Sequence, residues 1–405
     1  MRARVFGPVL FALACGRDPA SGGGTDTTGA VTVASTWGPG DGSTSAGDET
    51  PGSSGDDASG GDVSGVDDSD SSSGDLPSDA PLALYVASGA NLHHFEVDLA
   101  TGTPQPVDVL PAGEHLGPMT HRGDLLFIGD LGARSVVVLS LAADGTPTSL
   151  GAASLDIEAV YLSLAAGGQH LLVADYGANR IASFAVDGGS VAEHPAAEHN
   201  VGQNPHAIVP APDGAFVFVP HLGSGEIRQY RYDDVSGALT PNEPAQVQEP
   251  TGGPRHLVFD ATATHAYVGN EVDDSVTTWD YDAAAGRLSD PRTVSTLPGG
   301  MSDDANTVAE LRLTPDGRFL YASNRGHDSL AIFAVEGGEL TPLGHAETAP
   351  TPRAFTIEPG GRFIYVGGLG DGSLVTHVIA DDGSLGEGAV IDVSPEPMWI
   401  EAVVR

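Results

Sequence analysis

The chain has 405 residues, 55 acidic and 17 basic, for a formal net charge of −38 at pH 7. Every basic residue is Arg, so a lysine Schiff base is excluded, and a single Cys excludes an intramolecular disulfide or a cysteine-based metal cluster. The charge argues against nucleic acid or an anionic membrane surface as a partner, because phosphate backbones demand dense basic side chains.

The first element, residues 1–15, reads as an export segment. Arg2 and Arg4 precede an apolar stretch over 5–14. This is too short to span a bilayer, which needs about 20 residues, but it suits the hydrophobic part of a signal peptide. Ala14 directly before Cys15 resembles the lipobox of bacterial lipoproteins, with Cys15 as the lipidated residue, although Ala12 stands where Leu is usual. The alternative is an ordinary secretory signal with an incidental cysteine.

Residues 16–80 carry 13 acidic side chains against one Arg and are otherwise mostly Gly, Ser, Thr, Ala and Pro. Such a composition cannot offset the entropy of ordering, so a disordered acidic linker is expected, extended by its own repulsion. It serves either to hold a folded domain away from a membrane or merely to solubilise. Both readings put the function in residues 81–405, which are themselves acidic, with 42 Asp or Glu against 14 Arg.

That region repeats one pattern. A short apolar run ending in a small turn recurs as LALYVASG (82–89), LLFIGDLG (125–132), HLLVADYG (170–177), FVFVPHLG (216–223), HAYVGNEV (265–272), FLYASNRG (319–326) and FIYVGGLG (363–370). Successive copies lie 43 to 54 residues apart. Turns such as Pro212-Asp213-Gly214 and Pro315-Asp316-Gly317 precede several copies, and further alternating strands such as SLAIFAV (329–335) follow. Several strands per repeat of this length, without helical periodicity, predict an all-β, seven-bladed β-propeller. The tail over 389–404, with its IDV and WIEAVV runs, is expected to complete the first blade and close the ring.

The repeats also locate a site. In NPHAIVPAPDGAFVFVPHLG one strand begins near His206 and the next ends near Leu222. Because antiparallel neighbours run in opposite directions, that start and that end share one face of the disc. The strand-end positions are Gly89, Leu131, Tyr176, Leu222, Glu271, Arg325 and Leu369, where only repeats five and six carry charge. The strand-start positions in repeats three to seven are Val160, His206, Arg255, Ala309 and Arg353. His206, Arg255, Glu271, Arg325 and Arg353 therefore break the pattern on one face, and such breaks tend to be functional. An arginine cluster in so acidic a protein suggests recognition of a carboxylate or other oxyanion. The plainer role for Glu271 is an ion pair with Arg255 or Arg325, clamping blade to blade.

Other candidates carry less. His93 and His94 alternate across a strand and read as surface histidines, and His256 should point away from Arg255. His221, His265 and His327 lie near strand ends without metal-ligand spacing, and Asp273-Asp274 and Asp303-Asp304 read as solvated loop acids. No nucleophile elbow, phosphate loop or dinucleotide fingerprint is present, so neither a metal nor a cofactor is expected.

At the segments NPHAIVPAPDGAFVFVPHLG, GPRHLVFDATATHAYVGNEV, AELRLTPDGRFLYASNRGHDSLAIFAV and PRAFTIEPGGRFIYVGGLG the chain resembles the seven-bladed propeller lactonase family. That family includes bacterial 6-phosphogluconolactonase and the fungal carboxy-muconate cyclase, and the resemblance covers residues 82–405. It implies an active-site His at His206, Arg at Arg255 and Arg325, and Glu at Glu271. The family's usual His-Pro-His is Asn204-Pro205-His206 here, and its Pro-Asp-Leu-Gly is Pro220-His221-Leu222-Gly223.

The implied activity is metal-independent hydrolysis of a lactone, with His206 or Glu271 as general base and Arg255 and Arg325 holding an oxyanion or carboxylate. Arg353 is a further binding candidate. A phosphorylated sugar lactone fits poorly with an exported, negatively charged chain, so another lactone is expected. The chain is expected to act as a monomer on a small lactone or carboxylate, touching a membrane only through the lipid anchor. The competing reading is a non-catalytic, cell-surface binding propeller similar to the YVTN type.

Overall fold

A computed structural model describes residues 80–405, except 300 and 302–304. The expected export segment with Cys15, the expected linker up to residue 79, and Asp303-Asp304 lie outside the described residues. Seven antiparallel sheets follow one another, six with four strands in simple meander order and one, in blade three, with five. The seven apolar runs become the second strand of each blade: Leu82–Ser88, Leu125–Asp130, His170–Asp175, Phe216–His221, His265–Asn270, Phe319–Arg325 and Phe363–Gly368. Helix is confined, among the described residues, to the turn Ala166–Gly168, and no helix is long and apolar enough to cross a membrane.

Each blade's first strand faces a central axis, and first strands of neighbouring blades pack on one another. Buried apolar side chains gather into seven clusters, each between two adjacent blades, as Tyr267 and Val276 of blade five pack on Leu311, Leu320 and Phe333 of blade six. Buried tyrosines on second strands tie blades together: Tyr321 donates to the Gly383 carbonyl at 2.8 Å, Tyr365 to Gly102 at 3.0 Å, and Tyr85 to Gly145.

The ring closes through the chain's end. Pro397–Val404 pairs antiparallel with Leu82–Ser88, matching Leu84 with Ala402 and Tyr85 with Glu401. The expectation for the tail thus holds for WIEAVV. It fails for IDV, which ends Leu385–Asp392, the outer strand of blade seven paired with Ser373–Ile379. Val393 is buried between the two segments, where the chain crosses from blade seven to blade one.

One local irregularity matters for the site. Where the first and second strands of blades five, six and seven meet on the face carrying Arg255, the register slips: between Pro254 and His256, between Val308 and Leu311, and between Pro352 and Ala354. A β-bulge puts an extra residue into one strand, so consecutive side chains no longer alternate strictly. The opposite face carries the Pro-Asp-Gly turns; at Gly317 a φ of +71° and a 2.8 Å bond from its N–H to the Thr314 carbonyl close one of them.

Candidate active site

The strand-end positions are structurally equivalent. Leu131, Leu222, Glu271 and Leu369 each donate a backbone N–H to the carbonyl just ahead of their own blade's first strand or bridge, from His115, Asn204, Gly253 and Thr351 respectively. Glu271 and Arg325 therefore stand side by side on one rim, with apolar Leu222 and Leu369 in the flanking blades. Gly326 makes this possible after Arg325. Its φ is +120°, and a Cβ there would lie 2.7 Å from the Ala305 carbonyl oxygen, so only glycine lets the chain turn away at that point.

Arg255 sits in the bulge of blade five, 2% exposed. Its Nε lies 3.0 Å from Glu271 Oε2, and Arg325 Nη2 lies 2.8 Å from Glu271 Oε1, so one carboxylate bridges two guanidiniums from adjacent blades. The clamp read from the sequence forms with both arginines rather than one. Burial alone would raise the Glu271 pKa, but Arg325 and Arg255, with Arg353 behind them, hold it below the ordinary carboxylate value. Arg255 is pulled down to about 9 by burial, against the pull of Glu271 and with the repulsion of Arg325 and Arg353, and stays protonated at neutral pH.

His206 completes the group from blade four. Its ring is bracketed edge-on by Tyr176 and His256, each with centroids 5.4 Å away. Burial, then Arg255, His256 and Arg353, push its pKa well below the usual histidine value, so the imidazole is neutral at pH 7. Arg353 acts on His206, Arg255 and Glu271 through its charge. The five residues picked from the repeats thus share one electrostatic neighbourhood, with three guanidiniums around one carboxylate and one neutral imidazole.

His206 Nδ1 and Arg325 Nε are buried without a hydrogen bond within the described chain, and Arg255 Nε and Glu271 Oε2 meet only each other, as an ion pair. Buried polar atoms normally find partners, so their clustering marks a place prepared for a polar ligand. In blades one to three the rim includes Met398, Leu131, Val160 and Tyr176, all part-exposed, beside the pair His115–Glu396 at 3.8 Å. Among the described residues no group of three or more His, Cys, Asp and Glu side chains could hold a metal ion.

Three sequence expectations are corrected. His256 does not turn away from Arg255: the bulge suspends alternation, and its ring meets Tyr161 of blade three at 5.2 Å, His206 of blade four at 5.4 Å and Trp399 of blade one at 6.1 Å, which only the central channel permits. His94 is not on the surface but buried and stacked on Tyr85 at 5.1 Å, whereas His93 is half-buried beside Phe95. Asp274 is not simply solvated, because Asn306 donates to it at 2.7 Å, while its neighbour Asp273 is exposed.

The sequence reading also missed a second layer in the channel: Tyr161, His256, Glu310, Arg312 and Trp399. Glu310 interrupts the apolar run of Thr307–Leu313, and that acid was the available signal.

The model of the family described as "Lactonase, 7-bladed beta-propeller" matches residues 83–402. The 6-phosphogluconolactonase of Pectobacterium atrosepticum is 29% identical over 314 residues, which cover 76% of this chain and 91% of that protein. The one from Sodalis glossinidius is 30% identical over 308 residues, covering 75% and 89%. Among solved structures, a periplasmic gluconolactonase of Pseudomonas aeruginosa superposes with a TM-score of 0.74 at 26% identity, covering 80% of this chain and 99% of that one.

Proposed function

This chain belongs to the lactonase family of seven-bladed β-propellers, and we propose that it hydrolyses the ring ester of a lactone at the His206–Arg255–Glu271–Arg325 group. The observation that carries this reading is the convergence of a neutral imidazole and an arginine-held carboxylate on one face, with His206 Nδ1 and Arg325 Nε buried and unbonded there. The group offers donors for a carbonyl oxygen and an imidazole for a proton.

His206 is assigned as the general base. Glu271 spends both its oxygens facing arginines and is held ionised by them, so its affinity for a proton is low. The His206 imidazole is also lowered in proton affinity, but it is neutral, forms no ion pair among the described residues and keeps Nδ1 unbonded, so it is the group with a lone pair open to the proton of water. Water attacks the carbonyl carbon and gives its proton to His206. The oxygen that becomes an oxyanion is held by Arg255 and Arg325, whose charge is fixed before the reaction begins. The ring C–O bond then breaks, the leaving oxygen takes the proton back from His206, and a hydroxy acid is released. Glu271 keeps the two guanidiniums aligned, and Arg353 adds positive charge that draws a carboxylate or the oxyanion.

An unphosphorylated lactone fits best. The surrounding domain is strongly acidic, which slows capture of a dianion. The export-type segment over 1–15 and the periplasmic relative support a substrate met outside the cytoplasm, with Cys15 as the proposed anchor and residues 16–80 as the tether to a domain over 81–405. Replacing Arg255 with Ala tests the assignment: lactone hydrolysis is expected to fall by about 100-fold or more, the usual cost of an oxyanion donor. Unchanged hydrolysis would overturn it.

A further inference from the structure

We infer that His256 and Glu310 form a buried pair that positions the Arg255 guanidinium for the lactone hydrolysis read above, on which this inference rests. Because the register slips between Pro254 and His256, Arg255 and His256 both project into the channel, and Arg255 Nη1 lies 3.1 Å from His256 Nε2 and 3.3 Å from Nδ1. On its far side His256 Nδ1 is 3.0 Å from Glu310 Oε1, which comes from the matching bulge of blade six.

The donors and acceptors run in one direction. Glu310 is ionised: burial opposes its charge, but Arg312, His256 and Arg255 together hold its pKa down at about 2. A carboxylate can only accept, so His256 Nδ1 carries the proton and donates it to Glu310. Arg255 Nη1, nearly equidistant from the two ring nitrogens, rests against the face of the neutral imidazole. Nη1 also donates to the Ala309 carbonyl at 2.7 Å. Nη1 is thus held between the His256 ring and the Ala309 carbonyl, while Nε faces Glu271 Oε2 at 3.0 Å.

The pair is itself fixed. Glu310 Oε1 also accepts the Leu311 N–H at 3.2 Å and lies 3.6 Å from Arg312 Nε. The His256 ring is walled in by Tyr161, His206 and Trp399. Glu310 and His256 are each 2% exposed. Burying a carboxylate and an imidazole where apolar side chains would pack costs stability, because both must be desolvated. A chain that keeps such a pair against one face of a guanidinium gains orientation of that guanidinium. Misplacement of a catalytic group by even an ångström is costly in rate.

The test is a double-mutant cycle on the full chain, assayed on δ-gluconolactone, 6-phosphogluconolactone and δ-valerolactone. His256→Phe keeps an aromatic ring, somewhat larger than imidazole, and removes the nitrogens. It is expected to lower kcat/KM about tenfold, mostly through kcat, yet to change the Arg255→Ala enzyme by less than about twofold, because the two residues act as one unit. Equal losses in both backgrounds, or no loss from His256→Phe, would overturn the inference. If His256→Phe does not fold, Glu310→Gln replaces it in the same cycle with the same criterion. Should the unaltered protein hydrolyse no lactone, the hydrolase reading fails, and the positioning is read from arginine-selective 15N spectra. There the two Arg255 Nη groups should give separate signals that merge in the His256 or Glu310 variant, whereas spectra that do not change would overturn it.

Discussion

Arg255 Nε and Glu271 Oε2 face each other at 3.0 Å, both buried, and yet neither makes a hydrogen bond. They form one half of an ion pair that Arg325 Nη2 completes at 2.8 Å from Glu271 Oε1. With Arg353 acting on the same carboxylate, three positive groups stand around one negative, and the group keeps net positive charge for an oxyanion.

Glu271→Gln tests the clamp. The amide keeps the shape but leaves Arg255, Arg325 and Arg353 to repel one another. Lactone hydrolysis is expected to fall about tenfold or more, and the melting temperature with it, since removing one partner of a buried ion pair typically costs about 3–5 kcal/mol. Thermal unfolding and kcat/KM measured on the same preparation check both.

His206 sets the acid limb of the rate profile. Its pKa is pushed well below 6.5 by burial and by Arg255, so kcat/KM should stay level as pH falls through 6.5 and decline only at lower pH. An inflection at the ordinary histidine value would show that His206 is not the base.

Stability should fall earlier than activity. His221 and His256 are buried and lowered to about 4, His221 by burial and Arg228, His256 by burial and Arg255. The unfolded chain therefore takes up protons first, so stability is full above about pH 6.5 and lost as pH falls toward 4. The loss is on the order of 3 kcal/mol for each imidazole, from a shift of that size. His121, raised by its bond to Glu401 despite burial, opposes this in part. Chemical denaturation at a series of pH values, with His221→Asn for comparison, measures the slope.

Gly326→Ala places a Cβ 2.7 Å from the Ala305 carbonyl and forces a φ of +120° on alanine. The loop must move and carry Arg325 with it. The expected result is a fold that persists with hydrolysis reduced at least about tenfold, because small displacements of a positioned charge are costly. A crystal structure of the variant with Arg325 in place and full activity would contradict this.

The disc was legible because its punctuation is local. Apolar runs, Pro-Asp-Gly turns and their spacing define second strands whose first residues match the structure in all seven blades, each strand ending one or two residues before the run does. The five rim residues were legible because a repeat supplies its own baseline, against which Glu271 and Arg325 stand out. His256 and Glu310 were not, since the inference assumed that side chains alternate, and a bulge is a property of pairing between two strands that neither strand carries alone. The division of the tail between blades seven and one was hidden for a related reason: ring closure is a long-range pairing of residues 82–88 with 397–404.

The most direct measurement is kcat/KM of the full chain and of His206→Ala on δ-gluconolactone, 6-phosphogluconolactone and δ-valerolactone. The account predicts hydrolysis of at least one unphosphorylated lactone in preference to the phosphorylated one, and a loss of about 100-fold or more in the His206 variant, the scale of a general base. Hydrolysis unaffected by His206→Ala, or no hydrolysis of any lactone by a folded protein, would contradict it and leave a propeller that binds without catalysing.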